Sequence, residues 1–311
     1  MKWNIIWQVD PNDVASCIER DWFHEIVSSV TIDAELVDYD TRPRLSRALP
    51  FSIVCVSCPN QVKVADLIAY LRGAPRPRVL YHMSDEFVQV GEELYQHCDL
   101  VIRNGSAHFG VEDDRHFVQL PLGYVSGLRN GSFTWQRASQ RKSCFAFLGT
   151  MKHERETEML PAFRTLEGPR ALRLFCRGRG VVRRTRSFGE ATRYFGNLTA
   201  AVYNNSVFVP NPKGNWNPEC NRLYDALEWG CIPLIRRYSE SEYHRTYHDR
   251  LLGNHPIPTF DDWSAAADFA RDLLAGKDRL DELQAEIAAW WRAFKLELQA
   301  KVAGKLASVC R

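Results

Sequence analysis

The residues with the clearest chemical potential lie between Phe208 and Ile235. An apolar run leads into a glycine-bearing loop, then into a helical stretch, a glycine stop and a second apolar run. The polar positions of this segment that could hold a ligand are Lys213, Gly214, Asn221, Arg222 and Asp225. Arg222 and Asp225 are three residues apart and share a helix face. Because open α/β sheets bind ligands where such loops follow their strands, the pattern predicts a ligand site.

A second segment, Cys144–Arg155, reads as a strand that ends at Gly149, with a helix beginning a few residues later. Free backbone N–H groups and the positive end of the helix dipole would meet there. Lys152 and Arg155 add positive charge to the same place. This combination predicts a site for a pyrophosphate group.

Seven arginines and no acidic residue lie between Arg170 and Arg186. Arg177 and Arg179 follow an apolar run, which puts them at the ligand-binding edge of a predicted sheet. Two interpretations stay open: a basic face exposed to solvent, or a surface that attracts the phosphate of a donor or an anionic acceptor.

Residues able to take up a proton lie in the first third of the chain. The apolar run Arg78–His82 leads into Asp85 and Glu86, which would occupy the first turn of a helix. Acidic residues there also have a plain explanation, because they complement the helix dipole. Arg103 and Gly123 end later strands, and we expect them to line the same cleft.

The elements that must position these residues alternate between short apolar runs and helix-like stretches. This alternation predicts parallel sheets covered by helices on both faces. It pauses over residues 123–143 and then restarts. We therefore predict an acceptor-side Rossmann-like domain over residues 1–135, a nucleotide-sugar-binding Rossmann-like domain over 136–262, and closing helices over 263–311.

The segment from Ser206 to Ile235 resembles the donor-binding signature of exostosin-like glycosyltransferases. That signature is an S-x-F-x-x-x-P-x-G run, an R-x-x-(D/E)-A helix and a closing G-C-I-P, all present in this sequence. The resemblance implies an α/β fold of the GT-B type, with two facing Rossmann-like domains. It also implies that Asp225 contacts the ribose of the donor and that Arg155 binds its diphosphate.

From this resemblance we expect an inverting, metal-independent hexosyl- or pentosyltransferase of polysaccharide biosynthesis. The donor would be a nucleotide diphosphate sugar, with UDP as the expected nucleotide, and the acceptor a glycan that could be anionic. No metal or other cofactor is expected, since Arg155 and Lys152 would stabilise the leaving group. An inverting transferase needs a base for the acceptor hydroxyl, and we favour Asp85, then Glu86, then His82.

Other classes of protein fit less well. A catalytically silent glycan-binding module of the same fold would lose the nucleotide pocket, and a Rossmann-type oxidoreductase would need a G-x-G-x-x-G after the first strand. The formal net charge of +2 argues against a nucleic-acid binder, and no apolar stretch reaches the length of a membrane span. We expect a cytoplasmic protein, or the catalytic domain of a larger membrane-associated or secretory-pathway protein.

Overall fold

The computed structural model describes residues 2–8, 18–38, 50–56, 64–83, 93–104, 116–130, 134–149, 153–166, 199–214 and 216–310. Within these ranges, one compact unit comprises the residues up to Gly123 together with those from Lys295 onward, and a second comprises Tyr124 to Phe294. A compact unit need not coincide with an independently folding domain. The predicted domain limits at residues 135 and 262 therefore stay a prediction.

The first unit is built on six parallel strands in the order β2-β1-β3-β4-β5-β6. The strands are β1 (Trp3–Gln8), β2 (Thr31–Asp38), β3 (Ser52–Val56), β4 (Arg78–His82), β5 (Leu100–Arg103) and β6 (Phe117–Gln119). All residues of β3 and β5 are buried. This is expected of parallel strands covered on both faces, and it explains their continuous apolar sequence.

The helical elements described between the strands of this sheet are α1 (Arg20–Val27), α2 (Val64–Gly73) and the 3-10 turn Tyr95–His97. The Phe23 ring of α1 stacks on the Tyr81 ring with 3.9 Å between centroids. Trp22 of the same helix is buried and donates from Nε1 to the carbonyl of Pro121 at 3.0 Å. Its ring lies against Gly123, which has a φ of +73°. Gly123 was predicted to line a cleft, and the group found close to it is the Trp22 indole.

The second unit contains four parallel strands in the order β10-β9-β8-β7. The strands are β7 (Ser143–Phe145), β8 (Ser206–Asn211), β9 (Ile232–Arg236) and β10 (Thr259–Phe260). Its α-helices are α3 (Leu160–Arg164), α4 (Asn221–Glu228), α5 (Glu242–Leu252), α6 (Trp263–Ala275) and the first part of α7 (Lys277–Ser308). A further helical segment covers residues 199–204. Shorter turns are 3-10 at Leu128–Asn130 and Ala138–Gln140, and π-helical at Arg155–Met159. The remainder of α7, from Lys295, belongs to the first unit.

The predicted parallel sheets are confirmed, with local differences. The strand expected to end at Gly149 leaves the ladder after Phe145, and the carbonyl of Leu148 accepts a hydrogen bond from Arg222 instead. The helix expected a few residues after Gly149 begins as a π-turn. Pro161 follows that turn, and since it has no backbone N–H it cannot bond to the carbonyl of Thr157 as an α-helical residue would.

Two elements of the second unit were not predicted: α5 and β10. α5 is polar, but Ser241 caps its N-terminus by accepting from the His244 N–H at 3.2 Å, and Gly253 ends it. In the first unit, the helix expected to begin at Asp85 and Glu86 falls on residues outside the described ranges, which resume at residue 93, just before the 3-10 turn Tyr95–His97. In the part of the chain that the structure describes, no helix is both long and apolar enough to cross a membrane.

The contact between Gly123 and Trp22 gives a test of the first unit. A Cβ atom at residue 123 would lie 2.0 Å from the Trp22 ring, whereas at Gly304, in α7, it would meet nothing within 4 Å. We expect Gly123→Ala to lower the free energy of unfolding by about 3 kcal/mol or more, through the clash and the strained φ. Gly304→Ala should raise it by about 0.5–1 kcal/mol, because alanine favours a helix interior. Chemical denaturation of the wild type and both variants measures these changes. Changes of the same sign in the free energy of unfolding of the two variants would contradict the expectation.

Candidate functional site

Two buried arginines meet at the carboxyl ends of β7 and β8. Arg222 lies in the first turn of α4, and Arg155 opens the π-helical turn that follows the β7 segment. Each side chain is only 6% exposed. Burial and the neighbouring charge of Arg222 together lower the pKa of Arg155 from its ordinary value. Two like charges therefore lie close to each other in a region largely removed from water.

The Arg222 guanidinium is held by backbone carbonyls and an aromatic ring. Its Nε donates to the Leu148 carbonyl at 2.9 Å and its Nη1 to the Pro212 carbonyl at 3.4 Å, and the group lies 4.4 Å from the centroid of the Phe147 ring. Among the described residues it forms no ion pair. A Cβ atom at residue 149 would come within 2.7 Å of its Nη2, so Gly149 leaves room for the guanidinium.

Arg155 is held in a similar way near the same Phe147 ring. Its Nη2 donates to the carbonyl of Lys213 and, at 3.4 Å, to that of Gly214, and its guanidinium lies 5.9 Å from the Phe147 ring centroid. The two arginines thus fix the segment after β7 and the loop after β8. Groups fixed in this way are preorganised to bind an anion without further rearrangement.

A cleft of about 450 Å³ opens beside Arg155. Two cationic side chains of its lining form ion pairs: Lys213 Nζ lies 2.6 Å from Glu240, and Arg236 Nη1 lies 2.7 Å from Glu154 and 2.6 Å from Glu158. Tyr238 connects the two pairs, since its hydroxyl accepts from the Lys213 N–H at 2.7 Å and donates to Glu154 at 2.6 Å. The cleft therefore combines paired side-chain charges with the guanidinium of Arg155.

The loop between β8 and α4 is anchored by a buried carboxylate. Glu219 is fully buried and accepts hydrogen bonds from the hydroxyls of Tyr224 and, at 2.6 Å, Tyr247. Asn217 is also fully buried, and its side-chain Oδ1 accepts a hydrogen bond from the Tyr243 hydroxyl at 2.8 Å. Its backbone carbonyl accepts from the Gly214 N–H at 2.9 Å, which closes the turn. These contacts hold Gly214 in the lining of the cleft, whereas Asn221, half-buried at the start of α4, is not part of that lining.

Asp225 lies one turn after Arg222 and is 4% exposed. Its Oδ1 accepts from the backbone N–H of Val125 at 2.8 Å. Burial raises the pKa of this carboxyl to about 7, against the opposing effects of the Val125 bond and of Arg222. In this structure Asp225 fixes the Tyr124–Val125 segment, while its predicted contact with a ribose stays a prediction.

In the first unit, His82 and Arg103 share a buried tyrosine. His82 Nδ1 lies 2.8 Å from the Tyr95 hydroxyl. Arg103 Nη1 donates a hydrogen bond to the same hydroxyl. His82 is 1% and Arg103 2% exposed. A second buried cluster joins Glu19 to the Tyr81 hydroxyl at 3.2 Å and to the Asn104 amide. Both clusters lie at the carboxyl ends of β4 and β5, as the strand positions of His82 and Arg103 predicted.

Five predicted site residues lie outside the described residues: Asp85, Glu86, Lys152, Arg177 and Arg179. Several residues of the site were not predicted, namely Phe147, Glu154, Glu219, Arg236, Tyr238 and Glu240. The sequence could have indicated two of them. Glu154 lies at the start of the helix expected after Gly149, and Arg236 directly follows the apolar run that ends at Ile235. Among the described residues, no three histidine, cysteine or acidic side chains are grouped to hold a metal ion.

The raised pKa of Asp225 gives a test of its environment. Between about pH 4 and pH 7 the folded state retains a proton that the unfolded state releases, so the free energy of unfolding should fall as the pH rises through this range. Asp225→Asn keeps the oxygen that accepts from Val125 and removes the titration. From about pH 5 to about pH 8 we expect the wild type to lose about 2 kcal/mol more than this variant. Parallel pH profiles in chemical denaturation would show that Asp225 is ionised throughout.

No protein-family model matches the chain, and no curated protein matches it in sequence. Solved structures do match it in fold. A glycosyltransferase from Rickettsia africae superposes with a TM-score of 0.57 at 12% identity, covering 100% of this chain and 99% of that chain. Anabaena HepE in complex with UDP superposes with a TM-score of 0.54 at 9% identity, covering 99% and 100%.

An alpha-glucosyltransferase in complex with UDP-glucose and DNA containing an abasic site superposes with a TM-score of 0.54 at 10% identity. The alignment covers 96% of this chain and 98% of that chain. At these identities the similarity concerns the fold. Together with the two parallel sheets, it shows that the chain has the α/β GT-B fold of glycosyltransferases.

Proposed function

We propose that the chain is a glycosyltransferase that takes its sugar from a nucleotide diphosphate donor. The observation that carries this proposal is the pair of buried guanidinium groups, Arg155 and Arg222, at the carboxyl ends of β7 and β8. Removing two like charges from water is costly unless a partner compensates them. A diphosphate bound beside the two guanidinium groups would bring negative charge next to both.

The donor that fits best is a UDP-sugar. Guanidinium groups match phosphate oxygens in both charge and shape. HepE and the alpha-glucosyltransferase, which share this fold, were solved with UDP and UDP-glucose respectively. We assign Arg155 and Arg222 to the diphosphate, with Lys213 and Gly214 beside it and Asp225 as the expected ribose contact.

The proposed reaction is an inverting transfer. The acceptor oxygen forms a bond to the anomeric carbon while the bond from that carbon to the phosphate oxygen breaks, and UDP leaves with the electron pair. The acceptor proton passes to a base, for which Asp85 and then Glu86 remain our proposals. His82 ranks third, and its ring is already buried against Tyr95. Arg155 and Arg222 would stabilise the negative charge that develops on the leaving phosphate.

We propose a glycan as the acceptor. The alpha-glucosyltransferase that shares the fold was solved with DNA, but the small net charge of this chain does not favour a polyanion of that density. A chain that bound UDP and glycans without releasing UDP from a UDP-sugar would instead be a catalytically silent binding module.

The two arginines can be tested by calorimetry with UDP. Each of Arg155→Ala and Arg222→Ala removes a charge-assisted hydrogen bond worth about 1.5–3 kcal/mol, so the affinity for UDP should fall at least roughly tenfold. Turnover, measured as UDP release from a UDP-sugar, should fall by roughly a hundredfold or more. Arg245→Ala, on the exposed face of α5, serves as the control and should change neither. Wild-type affinity in both site variants would remove the arginines from the donor site.

Metal independence is a separate prediction. Because we assign charge neutralisation to arginines, UDP release should proceed at an unchanged rate in EDTA. The measurement compares initial rates with and without the chelator, followed by addition of Mg²⁺ or Mn²⁺. Activity that disappears in EDTA and returns with either ion would show that a metal takes the role given to Arg155 and Arg222.

The base can be tested separately from donor binding. Asp85→Asn and Glu86→Gln preserve shape and remove basicity, so one of them should lower turnover by roughly a hundredfold or more. Affinity for UDP should stay at the wild-type value in both, since the donor contacts proposed above all lie between Tyr124 and Phe294. If both variants turn over normally, the base lies elsewhere, and His82→Asn becomes the next variant to measure.

A further inference from the structure

Two carboxylates of α4 hold the segment that opens the second unit. Asp225 Oδ1 accepts from the Val125 N–H at 2.8 Å, and Glu228 Oε2 accepts from Arg129 Nη2 at 2.7 Å. Asp225 and Glu228 are three residues apart, so they lie on the same face of the helix. We call residues 124–130 the strap, because α4 binds this segment near both of its ends.

Further contacts fix the strap in place. Glu228 also accepts a hydrogen bond from Trp291 Nε1 at 2.7 Å, so the carboxylate that binds Arg129 is itself held. The Arg129 guanidinium lies 4.7 Å from the ring centroid of Tyr124, and Tyr124 is buried. The backbone of Val125 therefore meets Asp225 from a segment that has its own fixed contacts.

The Val125 bond occupies one oxygen of Asp225 and leaves the other to a ligand. Among the described residues, Oδ2 has no hydrogen-bond partner, and it is not one of the polar atoms that are sealed from solvent without a partner. A carboxylate turns easily about its last side-chain torsion, and a hydrogen bond to Oδ1 removes this freedom. The same bond opposes the rise in the pKa of Asp225 that burial causes, which favours the ionised acceptor.

We infer that the Val125 N–H is a positioning group of the donor site, and that it orients Asp225 so that Oδ2 accepts a hydrogen bond from a ribose hydroxyl. This inference rests on the proposed function, because it takes the ribose of the donor to lie at Asp225. It extends that function by making the strap, which lies 100 residues before Asp225 in the chain, a part of ribose recognition.

Calorimetry on the full chain with UDP and 2′,3′-dideoxyUDP tests the inference. The two ligands share base and diphosphate and differ only in the ribose hydroxyls. We expect the wild type to bind UDP at least roughly tenfold more tightly, because the hydroxyls bond to a charged acceptor. Val125→Pro removes the N–H and should narrow this ratio by at least roughly threefold, with the affinity for 2′,3′-dideoxyUDP changed little. A merely structural role of Val125 would weaken the binding of both ligands alike.

Two further variants separate the outcomes. Val125→Ala shortens the side chain and keeps the N–H, so it is the matched variant and should retain the ratio. Asp225→Ala removes the acceptor and should bring the ratio close to one. A ratio that is lost in Asp225→Ala but intact in Val125→Pro, or narrowed equally by Val125→Ala, would overturn the positioning role and leave the proposed function intact. Absence of UDP binding would overturn both.

Hydrogen exchange on the wild type tests the same coupling if Val125→Pro does not fold. Coupling between two contacts is reciprocal, so a ribose that binds better when the Val125 bond is formed must also stabilise that bond. We expect saturating UDP to slow exchange of the Val125 amide at least roughly threefold more than saturating 2′,3′-dideoxyUDP does. Equal protection of this amide by the two ligands would overturn the inference.

Discussion

The second unit depends on how two buried arginines are accommodated next to each other. Arg155 and Arg222 both lie near the Phe147 ring and donate to carbonyls of the segments that follow β7 and β8. A buried guanidinium must have its donors satisfied, so these carbonyls are turned away from the sheet ladder and toward the arginines. The conformation of both segments is thus tied to the charge they enclose.

The surrounding residues keep that arrangement fixed. Glu219 binds two tyrosine hydroxyls and anchors the start of α4, which carries Arg222. Tyr238 joins the backbone at Lys213 to Glu154, the residue before Arg155. Each arginine lies on an element that is held by its own buried contacts, so the protein itself fixes the geometry of the pair. Such preorganisation is what a site for a leaving diphosphate requires.

The same contacts divide the charge of the site. Paired side chains occupy the cleft beyond Arg155, whereas Arg222 has carbonyls and a ring around it and no ion pair among the described residues.

The sequence by itself determined the parallel sheets and the two segments that form the site. Continuous apolar runs mark strands that are buried on both faces, and the glycine-bearing loops after them mark where ligands bind. These signals are local, so they correctly placed β4, β5, β8 and β9. They missed α5, whose polar sequence is helical because its cap and buried Tyr247 fix it.

Only the tertiary structure decided which of these residues meet. Arg155 and Arg222 are distant in the chain, and strand order brings them to the same ring of Phe147. The bond from Val125 to Asp225 and the pairing of Arg236 with Glu154 likewise join residues that no spacing relates. Charge pairing and burial depend on distances across the fold, and periodicity along the chain carries no information about those distances.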